Sequence, residues 1–135
     1  MLEKARDRVA KEEEKRARFS AGELGLDIYD MRGRLADMVA IARKAEAVGF
    51  DYLSVSDHIV MSAEMNDAMG ARWCEGVTAI AFLAGATQRI RLYNSVLVLP
   101  YRDPLLVAKQ FSTLDMMSGG RAILGVGIGH LEKEF

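Results

Sequence analysis

From Phe19 onward, short apolar strand patterns alternate with segments of helical periodicity, and this alternation restricts the possible fold more than any other feature. Strand patterns cover residues 52–56, 90–99 and 122–126, whereas residues 19–26 alternate weakly and predict at most a poor strand. Helical spacing of apolar residues runs between these strands, in residues 35–45, 73–84 and 104–117. The order predicts an α/β fold built from βαβ units around a parallel sheet.

The predicted helices and strands have recognisable ends. Gly49 is expected to end the first helix, and Gly85 lies near the expected end of the second. Asp103 and Pro104 form an N-cap followed by proline at the first helical position, where its missing N–H costs nothing. Ser118-Gly119-Gly120 breaks that helix. The near-continuous apolar run 96–99 predicts a strand covered on both faces, as parallel strands usually are.

Charge and composition exclude several classes of function. The 18 basic and 19 acidic residues give a net charge of −1, so no nucleic-acid partner is expected. The single cysteine, Cys74, cannot form an intramolecular disulfide, and no leader-like segment opens the chain, so we expect a cytoplasmic protein. No apolar stretch approaches the roughly 20 residues that span a bilayer, so no membrane partner is expected.

Residues 1–18 differ from the rest of the chain. They hold seven basic and five acidic residues, with acid-before-base pairs at i,i+4 such as Glu12 and Arg16. We therefore predict a charged helical extension over 1–18 and a separate folded domain over 19–135.

Two polar sites lie where predicted strands would meet a ligand, because the carboxyl ends of parallel strands carry the binding residues. Asp57 and His58 directly follow the second strand. His58 is a candidate proton donor or acceptor, but a helix-capping aspartate beside a structural histidine is an equal alternative. Asn94 and Ser95 interrupt the third strand, which indicates either a β-bulge beside the site or two residues that face a polar neighbour.

Glycine at every second position opens the backbone after the fourth strand. Gly125, Gly127 and Gly129 would let a flat ring or a phosphate approach closely, and His130 follows as a second candidate proton donor. The pattern is not the dinucleotide fingerprint, which needs a different glycine spacing. The two histidines and one cysteine have no metal-ligand spacing, so no metal site is predicted.

In series, these segments resemble the luciferase-like monooxygenase family, and within it the coenzyme F420-dependent oxidoreductases more than the FMN enzymes. The resemblance covers about residues 34–135. It rests on Ala-Glu-Ala-Val-Gly-Phe-Asp at 45–51, Val-Ser-Asp-His at 55–58, Val-Leu-Val-Leu-Pro-Tyr-Arg at 96–102, Leu-Asp-Met-Met-Ser-Gly-Gly-Arg at 114–121 and Leu-Gly-Val-Gly-Ile-Gly at 124–129.

The resemblance implies a TIM barrel that holds a deazaflavin or flavin at the carboxyl ends of its strands. By analogy Asp57 and His58 lie beside the cofactor ring, with His58 at the reacting face. Ser95-Val96 matches the non-prolyl cis peptide that backs the ring, and Gly127 and Gly129 match the loop along the cofactor. His130 stands where some sugar-oxidising members carry an acidic glutamate, so that substrate class is in doubt.

A complete (β/α)₈ barrel has about 250 residues, so 135 residues predict its N-terminal half, with about four parallel strands. Three hypotheses follow. The first is hydride transfer between coenzyme F420 and a small organic substrate, dependent on a C-terminal half. The second is an FMN- or FAD-dependent monooxygenase that uses oxygen. The third is a non-catalytic half-barrel that forms a homo-oligomer.

Overall fold

A computed structural model describes residues 25–27, 35–65 and 73–129. The predicted extension 1–18 and His130 lie outside these residues. The elements, in chain order, are β1 (Gly25–Asp27), α1 (Leu35–Ala47), β2 (Tyr52–Val55), α2 (Gly76–Ala86), β3 (Arg91–Val98), a 3₁₀ turn (Leu99–Tyr101), α3 (Pro104–Ser118) and β4 (Ala122–Gly127).

The four strands form one parallel sheet in the order β1-β2-β3-β4. Each strand therefore pairs with its predecessor in the chain, as the alternating sequence pattern predicts. Because the strands are parallel, their carboxyl ends lie at the same edge of the sheet. The loops that follow β2, β3 and β4 therefore meet at this edge.

Helix α2 begins three residues later than its apolar periodicity suggests. The periodic pattern starts at Trp73, but the first helical residue is Gly76. Glu75 sets this boundary, because its carboxylate accepts hydrogen bonds from the backbone N–H groups of Val77 (3.2 Å) and Thr78 (2.8 Å). Trp73 is consequently left outside the helix, near the sheet edge described below.

The other helix ends agree with the sequence. Asp103 caps α3 by accepting from the Leu106 N–H at 2.9 Å, and Pro104 is the first helical residue. Gly119 ends the helix in the left-handed conformation with φ of 73°. Gly49 follows α1 with φ of 84°, which a glycine adopts without strain.

The hydrophobic core lies between the sheet and one layer of helices. Helix α2 packs against β2 and β3 and also contacts α1 and α3. The completely buried side chains include Leu53 and Leu92 from the sheet and Ile80 and Leu83 from α2. Burial of each such side chain contributes about 1.5–3 kcal/mol, so this layer contact is the main source of stability.

A pair of tyrosines lies across the middle of the sheet. The rings of Tyr52 and Tyr93 meet edge to face, with centroids 5.8 Å apart. A Cβ at Gly25 would run into the Tyr52 ring, and one at Gly125 would run into both the Tyr93 ring and the Asn94 carbonyl. Because these two positions in the outer strands are glycines, the tyrosine rings can pack directly against the backbone of β1 and β4.

None of the helices in the described part of the chain is long and apolar enough to cross a membrane.

Candidate cofactor-binding site

Strand β3 contains a bulge at the position that the polar interruption predicted. Asn94 pairs with Leu124 and Leu97 with Val126, so two residues of β3 lie opposite one residue of β4. These two residues are Ser95 and Val96, and the peptide bond between them is cis. Both the bulge and the cis peptide that the family resemblance implied are therefore confirmed.

A cleft of about 330 Å³ opens at the carboxyl ends of β2, β3 and β4, next to this bulge. Its volume lies within the range typical of small-molecule sites. The residues that line it come from all three strand ends, and they are Ser56, Asp57, His58, Ser95, Val96, Val98, Gly127, Ile128 and Gly129. Every predicted site residue except His130, which lies outside the described residues, is thus at one cleft.

His58 is half-buried at the cleft and packs against Trp73. Their ring centroids are 4.5 Å apart and the ring planes meet at 67°, an edge-to-face contact. Such contacts favour one orientation of the imidazole over others. The structure therefore places an oriented imidazole at the cleft.

The carboxylate of Asp57 is buried, with 4% of the residue exposed, and it is surrounded by donors. Its Oδ1 accepts from the Gly76 N–H (3.2 Å) and from Arg102 Nη2 (2.8 Å). Its Oδ2 accepts from the Val98 N–H (3.0 Å) and from Arg102 Nη1 (2.6 Å). The pair with Arg102 is therefore bidentate, the strongest geometry for a guanidinium and a carboxylate.

Arg102 also reaches Glu75, with Nη2 and Oε1 2.6 Å apart, so the three residues form one ion cluster. Burial lowers the pKa of Arg102, but the hydrogen bonds to Asp57 and Glu75 outweigh it and leave the pKa above its ordinary value. Burial raises the pKa of Glu75, but hydrogen bonds from Thr78 and Arg102 outweigh this and leave it lowered. Both groups are charged at neutral pH.

Asn94 adds a buried amide beside this ion cluster. It is completely buried, and its Nδ2 donates to the Val55 carbonyl at 3.2 Å, which ties β3 to the end of β2. Its Oδ1 has no hydrogen-bond partner among the described residues. A Cβ at Gly76 would run into this amide, so the first residue of α2 has to be small.

Sequence reasoning missed Arg102 and Glu75 as parts of the site. Arg102 follows β3 just as Asp57 follows β2, so opposite charges at neighbouring strand ends were an available signal. Glu75 carried a weaker signal, because glutamate is not among the preferred N-cap residues.

The lining of the cleft is chemically compatible with a largely apolar ring system. Val96, Val98 and Ile128 give it apolar walls, and Ser95 and His58 add polar groups. Gly127 has no side chain, and this leaves room for the side chain of Val96. A Cβ at position 127 would lie 2.6 Å from Val96 Cγ2. Within residues 25–27, 35–65 and 73–129, no group of three or more His, Cys, Asp and Glu side chains could hold a metal ion.

Four parallel strands with helices between them, and a cleft at their carboxyl ends, define a domain of the βα-barrel type. The chain belongs to the luciferase-like monooxygenase family, whose profile matches residues 15–135. Solved relatives are TIM-barrel enzymes, so the predicted α/β half-barrel is confirmed as part of such a barrel.

Three relatives represent the cofactors of the family. The chain is 35% identical to an F420-dependent glucose-6-phosphate dehydrogenase from Amycolatopsis mediterranei. The aligned part covers 73% of this chain and 28% of that protein. It superposes with a TM-score of 0.63 and 27% identity on the F420-dependent tetrahydromethanopterin reductase of Methanopyrus kandleri, covering 78% of this chain and 27% of that one. With a TM-score of 0.68 and 26% identity it matches the FMN-bound oxygenating constituent of 3,6-diketocamphane monooxygenase from Pseudomonas putida, covering 84% and 31%. The chain thus spans about a third or less of each relative.

Proposed function

We propose that this chain forms the ring-binding part of a coenzyme F420-dependent oxidoreductase acting on a small organic substrate. One observation carries the proposal: a single cleft brings together Asp57, His58, Ser95, Val96 and the 127–129 backbone. Similarity to F420-dependent relatives supports the deazaflavin as the occupant.

A bound deazaflavin supplies a ring carbon that gives or takes a hydride. Val96, Val98 and Ile128 would exclude water from one side of the ring. His58 would donate or accept the proton that accompanies hydride transfer, because its imidazole is at the cleft and is oriented by Trp73. His130 is the alternative proton donor in this proposal.

The four described strands are half of an eight-stranded barrel, so the proposed activity needs further walls. We propose that a C-terminal half or a second copy of the chain supplies them, in the cytosol, where the lone Cys74 is kept reduced.

An FMN-dependent monooxygenase is the second candidate, because an FMN-bound oxygenase superposes on this chain. Titrating the full chain with F420 and with FMN, followed by cofactor fluorescence, distinguishes the two. We expect F420 to bind more tightly by about tenfold or more. Tighter FMN binding would favour the second candidate, and binding of neither cofactor would overturn both for this chain.

A matched pair of variants tests where the cofactor lies. Val96→Trp fills the cleft and should abolish binding, whereas Val60→Trp, at an exposed residue that does not line the cleft, should leave it unchanged. Where turnover of F420 is measurable, His58→Gln should lower kcat with little change in cofactor affinity, and His130→Gln is its comparison. A larger loss of kcat in His130→Gln would move the proton-transfer role to that residue.

A further inference from the structure

The Asp57 carboxylate has no acceptor capacity left for a ligand. A carboxylate offers about four lone-pair directions, two on each oxygen. Two backbone N–H groups and the two ends of the Arg102 guanidinium fill them, at 2.6–3.2 Å. A cofactor that approached Asp57 from the cleft would have to displace one of these donors.

The four donors come from three separate parts of the chain: the end of β3, the start of α2 and Arg102 after the 3₁₀ turn. Val98 ends β3, two residues after Val96 in the bulge. Gly76 is the first residue of α2, and His58 directly follows Asp57 in the chain. One buried carboxylate thus holds the histidine, the bulged strand and the start of a helix at fixed distances from one another.

We propose that Asp57 and Arg102 act together as a positioning pair that sets His58 and the Val96–Val98 wall around the cofactor ring, and that Asp57 does not bind the cofactor. This proposal rests on the proposed function, since it assigns roles within the same cleft. It replaces direct contact by Asp57, the role that the family resemblance implied, with an indirect one.

The geometry of Arg102 explains why the pair needs a guanidinium. Nη1 and Nη2 each meet a different oxygen of Asp57, Nη1 also donates to the Val98 carbonyl at 3.3 Å, and Nη2 donates to Glu75. A lysine ammonium is a point charge and cannot make this planar two-point contact. Arg102→Lys therefore preserves the charge and removes the geometry.

A double-mutant cycle separates the two roles of Asp57. The variants are Asp57→Asn, Arg102→Gln and the double variant, each titrated with F420 after circular dichroism has verified its fold. If the residues act as a pair, each single variant should raise the Kd about tenfold or more. The Kd of the double variant should then be no higher than that of the more weakly binding single variant. If Asp57 contacts the cofactor directly, the two losses should multiply, which would overturn the proposal.

Two further variants guard against general loss of structure. Arg102→Lys should raise the Kd although the charge is retained. Arg121→Lys is the matched control, because it makes the same change at an arginine whose contacts lie at the amino end of the sheet; it should lower stability while the Kd stays within about twofold. If Arg121→Lys weakened binding as much as Arg102→Lys does, the effect would be structural and the pairing role would be wrong.

A measurement made without cofactor tests this proposal independently of the proposed function. The imidazole signals of the two histidines are recorded by ¹H–¹³C NMR and assigned with His130→Gln. Asp57→Asn and Arg102→Lys should shift the His58 signals and leave those of His130 in place. Unshifted His58 signals would overturn the positioning role even if F420 binds, whereas absent F420 binding with shifted signals would overturn only the proposed function.

Discussion

Replacement of Glu46 by glutamine tests what holds helix α1 to the rest of the domain. The Glu46 carboxylate, in the last turn of α1, accepts hydrogen bonds from three successive backbone N–H groups in the turn between α2 and β3. These donors are Gln88 (2.9 Å), Arg89 and Ile90 (2.9 Å). One side chain thus satisfies three donors more than 40 positions away in the chain.

The expected loss follows from these contacts. Glutamine keeps a carbonyl oxygen that can still accept, so the variant loses the charge assistance rather than every bond, and charged hydrogen bonds are roughly twice as strong as neutral ones. The turn is partly exposed, which screens the interaction. We expect Glu46→Gln to lower the free energy of unfolding by about 1–2 kcal/mol, or the melting temperature by about 3–8 °C in a chain of this size.

The pH dependence of this difference has a definite sign. Burial raises the pKa of Glu46, but the hydrogen bonds from the 88–90 backbone and the nearby charge of Arg89 outweigh it and leave the pKa below its ordinary value. The stabilisation is therefore complete above the unfolded pKa of about 4.3 and is lost as the pH falls through the folded value. Urea unfolding of both proteins between about pH 7 and pH 3 measures it.

Lys44→Gln is the control, because Lys44 is exposed in the same turn of α1 and the change also removes one charge. It should change stability by less than about 0.5 kcal/mol. A Glu46→Gln loss no larger than this control near neutral pH would refute the reasoning. So would a loss that persists undiminished at about pH 3.

The remaining predictions concern two glycines and the Arg121 side chain. Gly85→Ala, in an α2 position where a Cβ meets nothing within 4 Å, should raise stability by about 0.5–1 kcal/mol. Gly125→Ala should lower the free energy of unfolding by about 1–3 kcal/mol, because its Cβ meets the Asn94 carbonyl and the Tyr93 ring. Urea unfolding measures both variants, and the same change in the free energy of unfolding for Gly85→Ala and Gly125→Ala would contradict this reasoning. Arg121→Lys should lower the free energy of unfolding by about 2 kcal/mol, because the Arg121 guanidinium donates to five acceptors at the end of α2, at the end of α3 and just before β3. An unchanged urea midpoint would show that these bonds are dispensable.

The order of strands and helices was predictable from the sequence because local patterns determine it. The apolar run in β3, the Asp103-Pro104 start and the Gly119 stop each act within a few residues of the chain. The bulge was visible for the same reason, since Asn94 and Ser95 interrupt an apolar strand.

The opposite charges of Asp57 and Arg102 at neighbouring strand ends were a signal of the ion cluster, but the contact itself forms only in the folded sheet. Asp57 and Arg102 lie 45 positions apart, and no period or motif links them. Sequence reasoning therefore interpreted Asp57 through its neighbour His58, as a ligand. The start of α2 was misplaced for a related reason: Trp73 continues the apolar period, but it packs against His58 and not into the helix.

Two kinds of charged clamp thus lie at opposite ends of the same strands. Glu46 and Arg121 bind backbone groups around the turn that precedes β3, at the amino end of the sheet. Asp57 and Arg102 join the carboxyl ends of β2 and β3, beside the cleft. In barrels of this type the amino-terminal face maintains stability and the carboxyl-terminal face carries the chemistry. Loss of the first clamp should therefore weaken the fold without altering the shape of the cleft, whereas loss of the second should displace His58 and the β3 bulge together.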